Sequence, residues 1–293
     1  MSLVNYSPPK KSGFFGLPRL LRLVVYVVLL GALFPFGVRW LEPHLTHHPA
    51  GYGGNKEWQL PENAEEVWFT AADGMKLNGW FLHASKQSSI GTVLYSHGNG
   101  GNLTAVRGVA QDLVKHGLDV LIYDYRGYGR SEGSIPSEAE LYADGDAAYE
   151  FLTQQCGVKP EKLAIYGLSL GTTVSTDIAS RRPCGALVLE APLSSASDMA
   201  SEVLPILPHS LHWLGKNRFE SARKISSVKC PVLVTHGEAD EMVPTAQGRK
   251  VFAAANEPKK LIIVPHGKHW LPSVNGYLDA VADFIVTTLA AKK

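Results

Sequence analysis

From residue 63 onward, short apolar runs rich in β-branched residues alternate with stretches of helical periodicity, and this alternation restricts the fold more than any other feature. The runs Thr92–Ser96, Asp119–Asp124, Leu163–Tyr166, Ala186–Glu190, Val232–Thr235 and Leu261–Val264 have the length and composition of buried strands. Helices are expected between them, near 102–116, 137–154, 170–182, 245–255 and 274–290. Upstream, Glu65–Thr70 and Lys76–Ala84 flank Ala72-Asp73-Gly74, a turn signal that joins them as an antiparallel hairpin. Together these elements predict an α/β fold: a mostly parallel sheet of eight strands with helices on both faces. The one long interruption, 191–229, carries Pro205, Pro208 and only scraps of amphipathic pattern, and is expected to form a short lid over one end of the sheet.

A chain of 293 residues can bury enough apolar surface to fold without staples, and 3 cysteines exclude a disulfide scaffold. The net charge of +1 leaves no broad basic footprint for nucleic acid. That charge is segregated. Residues 1–55 hold five basic residues (Lys10, Lys11, Arg19, Arg22, Arg39) and one acid (Glu42), about +4, which leaves about −3 for the rest.

An uncharged run from Leu23 to Val38 lies between Arg22 and Arg39. Counted from Leu20 to Leu41 it is 22 residues, enough to cross a hydrocarbon core with the two arginines snorkelling and Trp40 in the interface. No small-residue cleavage site follows, so residues 20–41 are expected to be retained as a single transmembrane anchor rather than removed as a signal peptide. Basic residues concentrate before the span. Residues 1–19 are therefore expected to be cytoplasmic and the globular part, 63–293, extracytoplasmic. Residues 42–62, with three prolines and three glycines, read as a tether, and His44, His47 and His48 as solvated residues of it rather than a metal site.

Ligands of open α/β sheets bind beyond the carboxyl ends of the strands, so reactive residues there carry the most information. Gly167-Leu168-Ser169-Leu170-Gly171 follows a predicted strand and opens a predicted helix, the context a nucleophile elbow needs. A serine hydroxyl requires a base to take its proton. After Val232–Thr235 come Glu238, Asp240 and Glu241; after Leu261–Val264 come His266 and His269. Imidazole titrates in the right range for the base, and a carboxylate on its other nitrogen fixes the tautomer. Asp240 is the preferred acid, because the chain needs a few residues after the strand before a side chain can reach back. His269 is the preferred base, with His266 the fallback. An oxyanion needs backbone N–H donors, here expected from Leu170 and from the loop His97-Gly98-Asn99-Gly100-Gly101-Asn102, with Asn99 preferred and Gly100 possible. A phosphate loop is the competing reading of that glycine-rich segment, but the Gly-Lys-Ser/Thr ending is missing. Asn102-Leu103-Thr104 fits a glycosylation acceptor by coincidence of spacing. Cys184 and Cys230 each precede a predicted strand and come within disulfide range if those strands are neighbours, although buried thiols are the default.

The blocks His97–Asn102, Asp124-Tyr125-Arg126-Gly127-Tyr128-Gly129-Arg130-Ser131, Gly167–Gly171, His236-Gly237-Glu238-Ala239-Asp240 and Gly267-Lys268-His269 resemble, in order, the signature blocks of α/β-hydrolase serine hydrolases. The set is most similar to the membrane-anchored α/β-hydrolase domain-containing proteins and their serine-aminopeptidase-like bacterial relatives. The resemblance covers about residues 65–290 and implies a catalytic triad of Ser169, Asp240 and His269, acting on an ester, thioester or amide without metal or organic cofactor. Trp270 departs from the small polar residue that often follows the histidine in relatives, and is expected to narrow the acyl pocket. The block Asp124–Ser131 is expected to build a tight loop near the pocket, with Arg126 or Arg130 pairing structurally and a direct substrate contact as the alternative.

The expected function is hydrolysis of carboxylic esters or thioesters of a small-molecule or acylated substrate. The leaning toward acyl substrates comes from the apolar lid residues Leu204, Ile206, Leu207, Leu211, Trp213 and Leu214. An aminopeptidase or amidase of the same fold would need an acid placed to hold a free amine. A non-catalytic binding protein of this fold is the remaining alternative.

Overall fold

The strands are β1 (Ala64–Thr70), β2 (Lys76–Leu82), β3 (Gly91–Ser96), β4 (Leu118–Tyr123), β5 (Leu163–Leu168), β6 (Ala186–Glu190), β7 (Val232–Gly237) and β8 (Lys259–Val264). They form one sheet in the order β1-β2-β4-β3-β5-β6-β7-β8. Pairing is antiparallel from β1 through β2 to β4 and parallel from β4 onward. This computed structural model describes residues 18–291, apart from residues 55, 85–88, 204 and 206–207. Lys10, Lys11 and most of the expected cytoplasmic stretch lie outside the described residues, as do Leu204, Ile206 and Leu207 of the lid and the side chain of Trp213.

Continuous apolar runs suit strands covered on both faces, and both faces here are covered. Leu94, Ile165 and Val234 face one cluster, which includes Ala148 of α3 (Glu138–Glu150), Val174 of α4 (Leu170–Arg181) and Val251 of α7 (Thr245–Ala254). Val93, Ala164 and Leu233 face the other, with Leu113 of α2 (Arg107–Lys115) and Val281 of α8 (Tyr277–Ala290). The period of two along each strand thus divides one hydrophobic run into two cores.

The chain leaves β3 to one side for β4 and returns on the other side for β5. The loops after β3 and β5 therefore diverge from neighbouring strands and leave a crevice at the carboxyl edge, the place where this class of sheet binds ligands. Arg126, after β4, is 3% exposed and locks onto buried Asp144 of α3, with Nη2 to Oδ1 at 2.6 Å, while Nη1 reaches Asp73 at 2.7 Å. Arg130 pairs with Glu66 at 2.5 Å and lies over the rings of Tyr52 and Trp68. Arg126 braces the turn from within the protein and Arg130 from its surface.

The N-terminal helix α1 runs unbroken from Arg19 to Thr46. Over Arg19–His44 it is long and apolar enough to cross a membrane, and no residue of its most apolar window is buried. The reading of 42–62 as a loose tether is corrected by the structure. Residues 42–46 continue the helix, and His48–Pro49 pairs in parallel with Gly100–Gly101 of the loop after β3. His47 is 2% exposed, with Nδ1 3.0 Å from the Tyr128 hydroxyl. Backbone groups make most of this docking, which is why no side-chain pattern announced it.

Within 191–229 the structure has α5 (Ala196–Val203), a 3₁₀ turn at His209–Leu214 and α6 (Ser221–Lys224). This segment rests on α1: Arg39 Nε donates to the Leu214 carbonyl, and the Glu42 carboxylate accepts the N–H groups of Lys216 and Asn217. Cys184 and Cys230 stand before neighbouring β6 and β7 with their sulfurs 3.2 Å apart, at hydrogen-bond distance.

Candidate active site

Strand β5 ends at Leu168, and the chain reverses at once into α4 through Ser169, whose φ of 52° and ψ of −119° favour glycine. The reversal is possible only because its flanks have no Cβ. A Cβ on Gly167 would stand 2.5 Å from the Gly171 carbonyl oxygen, and one on Gly171 would overlap the carbonyl oxygens of Ser96 and His97 at the end of β3. The Ser169 N–H donates to the Glu190 carbonyl at 2.9 Å, which ties the elbow to β6. Ser169 itself remains 8% exposed, at the floor of a cavity.

Asp240 and His269 come from the loops after β7 and β8. His269 Nδ1 lies 2.8 Å from Asp240 Oδ2. The neighbouring candidates are occupied otherwise: Glu238 accepts the N–H of His266 at 3.1 Å, and Glu241 pairs with Lys268 at 3.7 Å on the surface. Asp240 Oδ1 accepts the N–H groups of Met242 and Val243, at 2.8 and 2.9 Å. Burial raises the pKa of its carboxyl, but hydrogen bonds from His236, His269 and Val243 outweigh burial and hold it well below the ordinary carboxylate range. Asp240 is thus an anion that faces His269 Nδ1, the arrangement that leaves Nε2 as the basic atom.

His236 was not singled out from the sequence. It is the penultimate residue of β7, fully buried, with Nε2 3.2 Å from Asp240 Oδ2 and 2.8 Å from the Val243 carbonyl. Two acceptors at Nε2 require the proton there. The ring packs so closely on Gly248 that a Cβ at that position would overlap Nδ1. Its signal in the sequence was the spacing of four residues to Asp240 across a tight turn.

The oxyanion candidates Asn99 and Leu170 line the same cavity as Ser169. Leu170 is the first residue of α4, so its N–H has no intrahelical acceptor and lies at the positive end of the helix dipole. The loop that bears Asn99 is clamped from α1, from the residues just after it and from Tyr128: its Nδ2 donates to the Thr46 carbonyl at 3.1 Å, and its carbonyl accepts from the His48 N–H and the Tyr128 hydroxyl, both at 2.9 Å. Tyr128 spends its proton on Asn99, so His47 donates to Tyr128 through Nδ1. Burial, with the charge of His48 adding to it, pushes the His47 pKa down to about 4, so the ring is neutral at pH 7. Asn102 caps the following turn and is buried, which makes it unsuitable as a glycan acceptor.

Glu190 is a second residue that sequence reasoning passed over, visible only as an acid that ends an otherwise apolar strand. It is fully buried, accepts the Tyr166 hydroxyl at 2.5 Å and accepts the N–H of Leu271, two residues past His269, at 3.2 Å. Burial pushes its pKa up to about 7, although those hydrogen bonds and the charge of His269 pull it down. Between pH 4.5 and 7 the folded state keeps this proton while the unfolded state loses it, so Glu190 makes stability fall as pH rises through that window. The rise from 4.5 to about 7 corresponds to about 3 kcal/mol. Urea unfolding of Glu190→Gln against wild type should show a stability difference that shifts by about this amount in favour of the variant from pH 4.5 to 7; parallel curves would refute the assignment.

The cavity above Ser169 has a volume of about 540 Å³, within the range of roughly 300–1,000 Å³ found for small-molecule sites. Leu193, Met199, Leu211 and Phe219 line it from the lid side, and Phe34, Val38 and Leu41 from α1. Trp270, 39% exposed, is not among the described residues that line it, so the expected narrowing by Trp270 does not occur.

A family model described as serine aminopeptidase S33 matches residues 87–224. An uncharacterized protein of Salmonella typhi, YfhR, is 33% identical over 275 residues, 86% of this chain and 92% of that protein. The α/β hydrolase domain-containing protein 17C of Mus musculus is 37% identical over 238 residues, 78% of this chain and 71% of that protein. Among solved structures, the Pyrococcus furiosus esterase Pf2001 superposes with a TM-score of 0.64 at 20% identity, covering 84% of this chain and 98% of its own, which bears on the fold.

Proposed function

The chain belongs to the α/β-hydrolase domain-containing family, and from that premise we propose that it is a membrane-anchored serine hydrolase that cleaves carboxylic esters or thioesters through an acyl-enzyme. The observation that carries this reading is the ionised Asp240 on His269 Nδ1, at the same sheet edge as a serine held in a strained elbow. In the proposed cycle the Ser169 hydroxyl attacks the acyl carbonyl and gives its proton to His269 Nε2. The tetrahedral oxyanion is held by the N–H groups of Leu170 and Asn99. Collapse breaks the bond to the leaving group, which departs with the proton from His269. Water then attacks the acyl-enzyme, passes a proton to His269 and, on collapse, releases the carboxylic acid as Ser169 recovers that proton.

The apolar cavity favours acyl substrates over aminopeptidase chemistry. Among the described residues two carboxylates line it, and both are engaged: Glu42 accepts the N–H groups of Lys216 and Asn217, and Glu220 pairs with Arg223 at 2.6 Å. A free α-amino group would have to compete for them. The α1 helix in this reading crosses the bilayer, with the hydrolase domain on the extracytoplasmic side as the flanking charges favour.

Labelling by a fluorophosphonate, which requires an activated serine, tests the reading. Wild-type protein should label, with the adduct on the peptide containing Ser169, and Ser169→Ala should not. Folded wild type that does not label would refute the serine hydrolase reading and leave the non-catalytic one.

A further inference from the structure

We propose that α1 is not only an anchor but one wall of the acyl-binding site, so that the acyl chain of a bilayer-resident ester reaches Ser169 sideways from the hydrocarbon, between α1 and the segment 193–220. This rests on the serine hydrolase reading above and adds the source of the substrate and the route it takes.

Phe34, Val38 and Leu41, at i, i+4 and i+7, lie on one face of α1, and all three line the cavity that has Ser169 in its floor. Thr46, on the same helix, lines it too and meets the Asn99 side chain through its carbonyl. The lining of α1 therefore runs from beside the oxyanion loop at Thr46 to Phe34, about 18 Å away along the helix axis at 1.5 Å per residue. That direction leads toward the membrane: Phe34 lies six residues, about 9 Å, deeper than Trp40, which is 71% exposed and placed for the interface.

The wall is fixed and its rim is apolar. Arg39 to Leu214, Glu42 to Lys216 and Asn217, and Asn99 to Thr46 hold the helix against the lid and the oxyanion loop on both sides of the cavity. Phe34 (52% exposed), Leu41 (45%) and Val203 (66%) line the cavity and also face outward. A contiguous apolar opening of this kind is a liability in water and continuous with its surroundings in a bilayer. An acyl chain that slides from the leaflet along Phe34, Val38 and Leu41 remains in an apolar medium until its carbonyl reaches Ser169, so the enzyme need not extract the chain through water. A water-soluble ester with a short acyl group would gain nothing from this wall.

The test uses the full chain in phosphatidylcholine vesicles and a long-chain alkyl fluorophosphonate with a diazirine at the chain terminus. Ser169 Oγ displaces fluoride and fixes the head, and irradiation then records where the tail lies. The expected result is an adduct on Ser169 whose tail cross-links to the α1 peptide that contains Phe34 and Val38. An adduct on Ser169 with the tail mapped to other elements would overturn the proposal while the serine hydrolase reading stands; the lack of an adduct would overturn both. A second measurement is Val38→Trp, which places a bulky ring in the wall. The ratio of kcat/KM for a dodecanoyl ester in vesicles to that for an acetyl ester in solution should fall at least tenfold, each rate referred to titrated active sites. An unchanged ratio would overturn the proposal.

Discussion

If Ser169 is the nucleophile of the proposed cycle, Ser169→Ala is expected to lower kcat/KM for ester hydrolysis by on the order of 10⁴-fold or more, because removal of a triad nucleophile leaves only binding and the oxyanion donors. The same residue carries backbone strain in the fold. Ser169 holds φ at 52°, and a side chain in such a region typically stores roughly 1–3 kcal/mol of strain. Ser169→Gly should therefore be as inactive as Ser169→Ala but equal to or more stable than wild type by up to about 1 kcal/mol, the relief of strain being offset in part by the entropy of glycine. Steady-state kinetics with purified protein and urea unfolding of the three forms check both statements. Activity retained in Ser169→Ala would remove this serine from the mechanism, and a Ser169→Gly protein less stable than wild type would show that the strain is imposed elsewhere.

Asp240→Asn is expected to cost on the order of 10⁴-fold in kcat with little change in KM, for a reason visible in the hydrogen bonds. Asp240 Oδ1 takes the N–H groups of Met242 and Val243, so an asparagine would keep its oxygen there and turn its NH₂ toward His269 and His236. His269 Nδ1 would then accept a hydrogen bond, its proton would move to Nε2, and the nitrogen needed to receive the serine proton would no longer be free. His236 Nε2, which carries a proton for the Val243 carbonyl, would meet a second donor. The carboxyl of Asp240 is held well below the usual range, so wild-type activity should not be lost through protonation of this acid anywhere above pH 4. A pH profile that shows an acidic limb from Asp240 in that range, or an Asp240→Asn enzyme within tenfold of wild type, would contradict this account.

An aminopeptidase of this fold needs an acid placed to bind a free amine. The structure places Glu42 and Glu220 beside the cavity and shows each already bonded, the first by backbone N–H groups and the second by Arg223. Proximity of an acid is thus a weaker criterion than the freedom of its lone pairs.

What the sequence determined by itself was what local signals can carry. The alternation of apolar runs and helical stretches, the turn at Ala72-Asp73-Gly74 and the glycines around Ser169 act over a few residues, through strand period, turn geometry and steric clearance, and they specify the sheet and the serine on its edge. Tertiary structure alone decided which of Glu238, Asp240 and Glu241 faces a histidine ring, and which histidine, because adjacent loop carboxylates differ only in the direction that packing gives them. It also decided that the stretch at the end of α1 and just after it packs on the loop beside the cavity. His48–Pro49 pairs with Gly100–Gly101, and the Glu42 carboxylate takes the N–H groups of 216 and 217, contacts between residues more than fifty positions apart in which at least one partner is a backbone group. Backbone groups are the same in every residue, so a docking they make leaves no trace in side-chain periodicity, and a helix that composition identifies as an anchor becomes a wall of the cavity only when the chain is folded.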